Sequence, residues 1–549
     1  MKKRTFLYGA AILTVSGIIS KIFGALFRIP LANLIGAEGM AYYNGAYPIY
    51  VLLLTISIAG IPVAISRMVS ERVTFGDHAG AHRIFKVSLV AMAVIGAVLF
   101  TVLYFGAPSI TGSVSSLGGA VHAMRAIAPA LFFVSILSVF RGYYQGMQDM
   151  KPSAVMQVVE QFFRVIVGLS LAFAFVGAGK EFAAAGATFG ATAGAAAALA
   201  AGIFIYFRLM KREGYAVRIS ASSAANEEAG TSAPPTRKIL SMLAFIAVPI
   251  TIGATIMPIM QNIDLLIVTR RLADMGLSPE EARSLYGQLT GMAGPLINLP
   301  QVVTQGIAVS LVPTVVAAFK TGDRDFLHHN VTLSVKATMI VALPCTVGLA
   351  ILAEPVMKLL YFTRMDEAVS AAPSLFILAF GVVFLASVQT LTGVLQGVER
   401  QLIPVRNLFI GAGCKAVLTY ALTGVPSMNI KGAAIGTVCA YTIAAVLNFA
   451  AVRKYTGASM DAANTFGKPL VCSLVMGAAA FLSYVALLRF FGDGVSVLGA
   501  VAVGIIVYAI MIFVTRTVTE TELALFPKGE ALVKIYRKAL TLLRVNARI

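Results

Sequence analysis

Charge is scarce in this chain. Only 12% of its 549 residues are Asp, Glu, Lys or Arg, about half of the 25% usual in soluble proteins. Against that, 58% are hydrophobic and the mean hydropathy is +0.86. No water-soluble core hides so much apolar surface, so lipid is the expected solvent. Cysteine is scarce too. Cys345, Cys414, Cys439 and Cys472 lie in apolar runs without a CxxC pair or an accompanying histidine cluster. That pattern points to buried reduced thiols and away from metal ligation. Catalytic signatures are missing: no GxxxxGK[ST], no HExxH and no GxSxG occurs, so neither P-loop ATP chemistry nor these hydrolase types is expected. No cofactor is expected. Acids are the rarer sign, 24 against 43 Lys and Arg, for a net charge of +19. In a membrane chain this surplus reads as the positive-inside bias and attraction to anionic phospholipids, with no nucleic acid implied.

What is present is length of apolar sequence. A span needs about 20 apolar residues, and the chain offers about fourteen, at 6–28, 46–66, 84–106, 121–141, 154–176, 183–207, 240–268, 288–318, 331–353, 371–397, 403–424, 430–452, 467–488 and 495–515. The runs are continuous and do not alternate, so an all-α polytopic membrane protein is predicted and a β-barrel is not. The first run follows Lys2, Lys3 and Arg4, extends to Phe27 and lacks a small-residue cleavage site, which makes it a retained span. With both termini in the cytoplasm, about 29 Lys and Arg fall inside and about 10 outside, the expected bias. Residues 213–238, rich in Ala, Ser, Pro and Glu, form a cytoplasmic linker. Residues 517–549 form a basic amphipathic tail for the inner membrane surface. At Ser278-Pro279-Glu280-Glu281, a helix start is predicted: Ser as N-cap, Pro in the first turn and acids at the positive helix end.

The chain also repeats itself. GIPVAISRMVSERVTFGD, Gly60–Asp77, returns as GIAVSLVPTVVAAFKTGD, Gly306–Asp323, with six of 18 positions identical. His82 and Ser88 correspond to His328 and Ser334; Gly142, Gln145 and Gly146 to Gly393, Gln396 and Gly397; Arg164 to Lys415; Gly186 and Gly190 to Gly432 and Gly436. This ordered series divides the chain into an N-lobe, 1–212, a C-lobe, 239–454, and two further spans in 455–516. Six spans per copy is an even number, so the repeat is parallel. Two such lobes can rock about a shared site and open it to each face in turn.

Charges inside a bilayer cost about 2.5–3.5 kcal/mol each near a helix centre, so those present are site candidates. Lys21, Arg164, Lys336 and Lys415 lie within predicted spans. Lys21 and Arg28 stand seven residues apart, two helical turns, and so share a face suited to an anion. Arg28 lies near a span end, where snorkelling is the competing reading. Glu160 and Arg164, spaced i, i+4, can pair, as a binding feature or as a packing device. Asp264 can balance a cation or couple to an ion. Gln301 and Gln305 share a face that suits a sugar or the bridging of helix backbones. Lys336, near a span end, is expected to snorkel.

SKIFGALFR (Ser20–Arg28), GIPVAISRMVSE, RGYYQGMQDMKPSAVMQVVEQFFRV (Arg141–Val165) and LAEPVMKLLYF (Leu352–Phe362) resemble the stage V sporulation protein B and polysaccharide-exporter branch of the MOP superfamily, to which MurJ-type flippases are related. The resemblance covers nearly the whole chain. It implies two lobes in a V, fourteen helices and flipping of an undecaprenyl-pyrophosphate-linked saccharide across a bacterial cytoplasmic membrane. Lys21 and Arg28 match cationic positions in span 1 of MurJ-type flippases, Arg28 after a one-residue shift. Arginines of that type in spans 2 and 8 have no counterpart, since the stretches read PIYVLLLTISIAG and GPLINLPQVV; this favours the sporulation branch. The resemblance also places a groove for the prenyl tail at spans 13 and 14. Without a nucleotide motif, energy is expected from membrane potential, a Na+ or H+ gradient, or substrate consumption. A monomer is expected. The alternatives are a cation-coupled multidrug exporter, a non-transporting envelope or spore assembly scaffold, and a glycosyltransferase using Glu38 or Glu354.

Overall fold

The computed structural model describes residues 2–112, 118–212, 217, 220–222, 235–458 and 461–518. The predicted basic tail therefore lies almost wholly outside the described residues, as does most of the predicted linker. Every regular element among the described residues is helical, and twelve helical stretches are long and apolar enough to cross a membrane. The chain is an all-α polytopic membrane protein.

The first compact unit is Met1–Gly291. Its helices are α1 (Lys2–Ile58), α2 (Ile61–Thr74), α3 (His78–Gly112), α4 (Ala120–Gly146), α5 (Lys151–Phe175), α6 (Lys180–Arg212), α7 (Thr236–Ala254), α8 (Ile256–Asp274) and α9 (Pro279–Gly287). The second is Met292–Ile549. It holds α10 (Gly294–Asn298), α11 (Gln301–Thr321), α12 (Arg324–Ile351), α13 (Ala353–Leu360), α14 (Met365–Gly397), α15 (Leu402–Thr423), α16 (Ile430–Thr456), α17 (Lys468–Leu487) and α18 (Asp493–Val514). A π-helical turn, Gln288–Ala293, carries the chain from one to the other.

The fourteen predicted spans do not appear as fourteen separate helices. Spans 1 and 2 share α1, whose 57 residues would reach about 86 Å if straight, nearly three bilayer cores. Gly36, at φ 69° and ψ −177°, breaks its direction in a conformation open to glycine alone. Span 7 is split at Thr255 into α7 and α8. Pro258 brings no N–H to the first turn of α8, so the break falls where a missing donor costs least. Span 8 is divided among the π turn, α10 and α11.

The sequence repeat is a repeat of contacts. A Cβ on Gly142 would stand 2.9 Å from the Pro62 carbonyl oxygen; one on Gly393 would stand 2.9 Å from that of Ala308. Gly146 meets Ser66 O and Val69 Cβ, while Gly397 meets Val312 O and Val315 Cβ. Gly186 lies on the backbone of Leu171, and Gly432 on that of Leu422. Each pair occupies matching positions of the two copies. In lipid, helices gain little from hydrophobic exclusion, so small residues that allow close backbone approach hold the bundle together. Large apolar side chains point outward instead: Phe105, Phe173, Phe204, Phe245 and Ile505 are all well exposed.

The predicted helix start at Ser278 is present. Ser278 Oγ accepts the Glu281 N–H at 3.2 Å, and the Glu281 carboxylate accepts the Ser278 N–H and hydroxyl, both at 2.9 Å. These bonds hold the Glu281 carboxyl below the usual carboxylate range. Its contribution to α9 is present above the unfolded-state pKa and is lost as pH falls through the folded-state value. Amide exchange in the first turn of α9 is therefore expected to quicken on acidification below about pH 4, and Glu281→Gln to flatten that dependence. An unchanged acid response in the variant would refute the assignment.

Candidate functional site

The part of α1 beyond Gly36 carries YYNGAYPIY, Tyr42–Tyr50. Tyr43, Tyr47 and Tyr50 are spaced i, i+4, i+7 and so form a row on one helix face. The Tyr43 and Tyr47 rings stack with centroids 5.5 Å apart and planes at 14°, and Tyr50 follows 5.9 Å from Tyr47. Two arginines meet on this row. The Arg28 guanidinium, from α1 before the kink, lies 5.9 Å from the Tyr43 ring centre and 5.7 Å from that of Tyr47. The Arg164 guanidinium, from α5, lies 5.1 Å from the Tyr47 ring centre, and its Nη2 donates to the Tyr43 hydroxyl at 3.4 Å.

Glycines seat α5 for this task. A Cβ on Gly190 of α6 would fall 2.5 Å from Arg164 O, one on Gly194 would fall 2.3 Å from Glu160 O, and Gly168 of α5 accepts the Phe27 ring at similar range. Phe27 in turn tilts against Tyr43, centroids 6.0 Å apart.

The expected pairing of Glu160 with Arg164 is not the one that forms. Glu160 Oε2 takes Arg141 Nη2 of α4 at 2.6 Å, both side chains about four-fifths buried. Arg141 arrives from a neighbouring helix and donates to the carboxylate through its Nη2, whereas Arg164 is drawn to the electron-rich tyrosine faces. Two guanidiniums therefore share one aromatic pair, while the acid one helical turn away is matched to a different cation. Ring quadrupoles ease but do not cancel two positive charges in a low-dielectric setting. Such an arrangement favours an anion of at least two charges with oxygens suited to planar donors.

The remaining candidates are placed as follows. The Lys21 side chain lies outside the described residues. Asp264 is half-buried on α8. Two residues before it, Asn262 Nδ2 donates to Pro48 O at 3.0 Å and to Pro258 O at 2.8 Å, which ties α8 to α1. Gln301 Oε1 accepts from Gln389 Nε2 at 3.1 Å, and Gln301 also donates to Asn298 Oδ1, so its amide joins α10, α11 and α14. Gln305 is exposed one turn further on. Lys415 is buried at 3% exposure. It occupies the Arg164 position of the second copy. Lys336 is 8% exposed, so it does not reach out as a snorkelling lysine would. Glu38 is held by Lys180 at 2.9 Å and Arg283 at 3.2 Å, and Glu354 by Lys358 at 2.7 Å. Of the four thiols, all free, Cys472 is buried and the others are half-buried.

Sequence reasoning misses the tyrosines and Arg141. The tyrosine spacing is a usable signal; the Arg141–Glu160 pair joins residues of two different helices and carries none.

The second unit contains an apolar groove of about 670 Å³. Leu296, Pro344, Gly348, Val501, Ile505 and Tyr508 line it, from α10, α12 and α18, with α17 alongside. The Tyr508 hydroxyl is turned to Ile340 O at 2.6 Å, which leaves its ring to the groove.

Residues 6–319 match the family described as polysaccharide biosynthesis protein, and residues 290–515 match the family described as lipid II flippase MurJ. Stage V sporulation protein B of Bacillus subtilis (strain 168) is 28% identical over 96% of this chain and 98% of its own length. Membrane protein YabM of the same organism is 30% identical over 98% of each. Among solved structures, the inward closed conformation of lipid II flippase MurJ superposes with a TM-score of 0.66 at 16% identity, covering 92% of this chain and 98% of that one. That likeness establishes the fold.

Proposed function

Because the chain belongs to the polysaccharide biosynthesis protein family of the MOP superfamily, we propose that it is a flippase. Its substrate would be an undecaprenyl-pyrophosphate-linked saccharide of the lipid II class, carried from the inner to the outer leaflet by alternating access. The observation that carries this reading is the meeting of Arg28 and Arg164 on Tyr43 and Tyr47. A pyrophosphate presents two or more charges and several acceptor oxygens, which two guanidinium forks recognise together. The tyrosine faces hold the forks in place when the anion is absent. The apolar groove beside α17 and α18 suits the prenyl tail, which gains about 0.8 kcal/mol per buried CH₂. Membrane potential or an ion gradient supplies the energy; one charge moved through 100 mV is worth about 2.3 kcal/mol. Both termini lie in the cytoplasm in this reading.

Native mass spectrometry of the full chain tests it, with lipid II, undecaprenyl phosphate and undecaprenol as competing ligands. Retention is expected to follow that order. Equal retention of the uncharged prenol would overturn the anion-docking role.

The groove makes its own prediction. Ala509 lines it and is exposed, so Ala509→Phe narrows it without touching the arginines. Transport of a full-length prenyl donor is expected to fall several-fold, with a short-chain analogue spared. Equal loss for both lengths would remove the groove from the reading.

A further inference from the structure

A second cavity lies in the second unit, at one end of its helices. It encloses about 560 Å³ between the last residues of α11, the first of α12 and the last of α16. Its polar lining is Asp323, Arg324, His328, Lys454, Tyr455 and Thr456. Both α12 and α16 are long and apolar enough to cross a membrane, so the cavity sits at a membrane–water boundary.

The matching corner of the first unit is bridged. There Arg72 Nη1 bridges to Asp77 Oδ2 at 2.9 Å, and the His82 ring stacks on Tyr206 with centroids 6.3 Å apart. In the second copy Asp77 and His82 return as Asp323 and His328, but Arg72 is replaced by Ala318 and Tyr206 by Val452. The arginine that bridges the corner is gone, and Ala318 lines the cavity in its place. Asp323 Oδ1 caps α12 by accepting the Phe326 N–H at 2.9 Å. His328 Nε2 lies 2.7 Å from Thr456 O. Lys454 lies 5.7 Å from the Tyr455 ring centre, on which Arg400 also sits at 4.9 Å.

We propose that this cavity binds the headgroup of a phosphatidylglycerol-type lipid. Arg324 and Lys454 share the lining with one carboxylate, Asp323, so these three groups carry one net positive charge. That matches a phosphodiester, which carries a single negative charge, better than a pyrophosphate or a free phosphate dianion. Arg324 and Lys454 take the phosphate oxygens. The second Asp323 oxygen, Oδ2, accepts from a glycerol hydroxyl, a contact that a choline headgroup cannot offer. The volume falls within the range of small-ligand sites, and the boundary position leaves the acyl chains in lipid.

Native mass spectrometry of the full chain released from vesicles of equal phosphatidylglycerol and phosphatidylcholine tests this. Wild type is expected to keep phosphatidylglycerol in excess. R324Q/K454Q is expected to lose that excess about tenfold. Ala318→Arg, which restores the closing residue of the first copy, is expected to lose it as well. Lys320→Gln, a nearby basic residue outside the cavity, controls for diffuse attraction and should change little. Unchanged retention in R324Q/K454Q, an equal loss in Lys320→Gln, or displacement by millimolar inorganic phosphate would each overturn the proposal.

Discussion

Arg164→Ala should abolish, or reduce at least about tenfold, transport of a pyrophosphate-linked donor while leaving the protein folded and in the membrane. The size follows from losing a charge-assisted contact, worth about 1.5–3 kcal/mol. Arg28→Ala should act in the same direction, because both guanidiniums lie against Tyr47. Arg164→Lys keeps the charge but loses the planar fork and the stack, so partial activity is expected. Tyr47→Phe keeps the ring and should retain more transport than Tyr47→Ala. The checks are complementation of a flippase-depleted strain and the binding series above, with thermal stability in detergent as a control. Full transport by Arg28→Ala/Arg164→Ala would remove the tyrosine row from the mechanism.

The second large effect concerns packing. Gly190→Ala places a Cβ 2.5 Å from Arg164 O and 2.7 Å from Gly168 Cα. Both obstacles are backbone, so no rotamer change relieves them and α5 and α6 must separate. Overpacking of this kind costs about 1–3 kcal/mol, and here it also shifts the peptide that carries Arg164. Gly436→Ala, at the matching position of the second copy, meets Thr419 Oγ1 at 2.5 Å, a side-chain atom that can turn away. Gly190→Ala is therefore expected to lower both melting temperature and transport, and Gly436→Ala to do much less. Equal effects at the two sites would show that the close approach at Gly190 is not what holds α5.

The helix start at Ser278 was legible because a capping box is a contact between residues three apart. Arg164 was legible as a site candidate because a charge inside an apolar run is costly wherever it points. Its partner was not legible. Spacing along α5 made Glu160 the natural choice, yet Arg141 of α4 takes the carboxylate, and only helix packing decides that. The division of spans into helices was not legible for a related reason. Composition marks apolar length, but Gly36, Thr255 and the π turn decide where a helix bends or divides.

The sequence by itself determined that the chain is helical, lives in lipid and is built twice over, because apolar run length and ordered repetition are written residue by residue. Tertiary structure alone decided which cation meets which aromatic ring and that one corner of the second copy is hollow. Those outcomes depend on ångström-scale approaches between distant helices, set by which glycines let backbones touch.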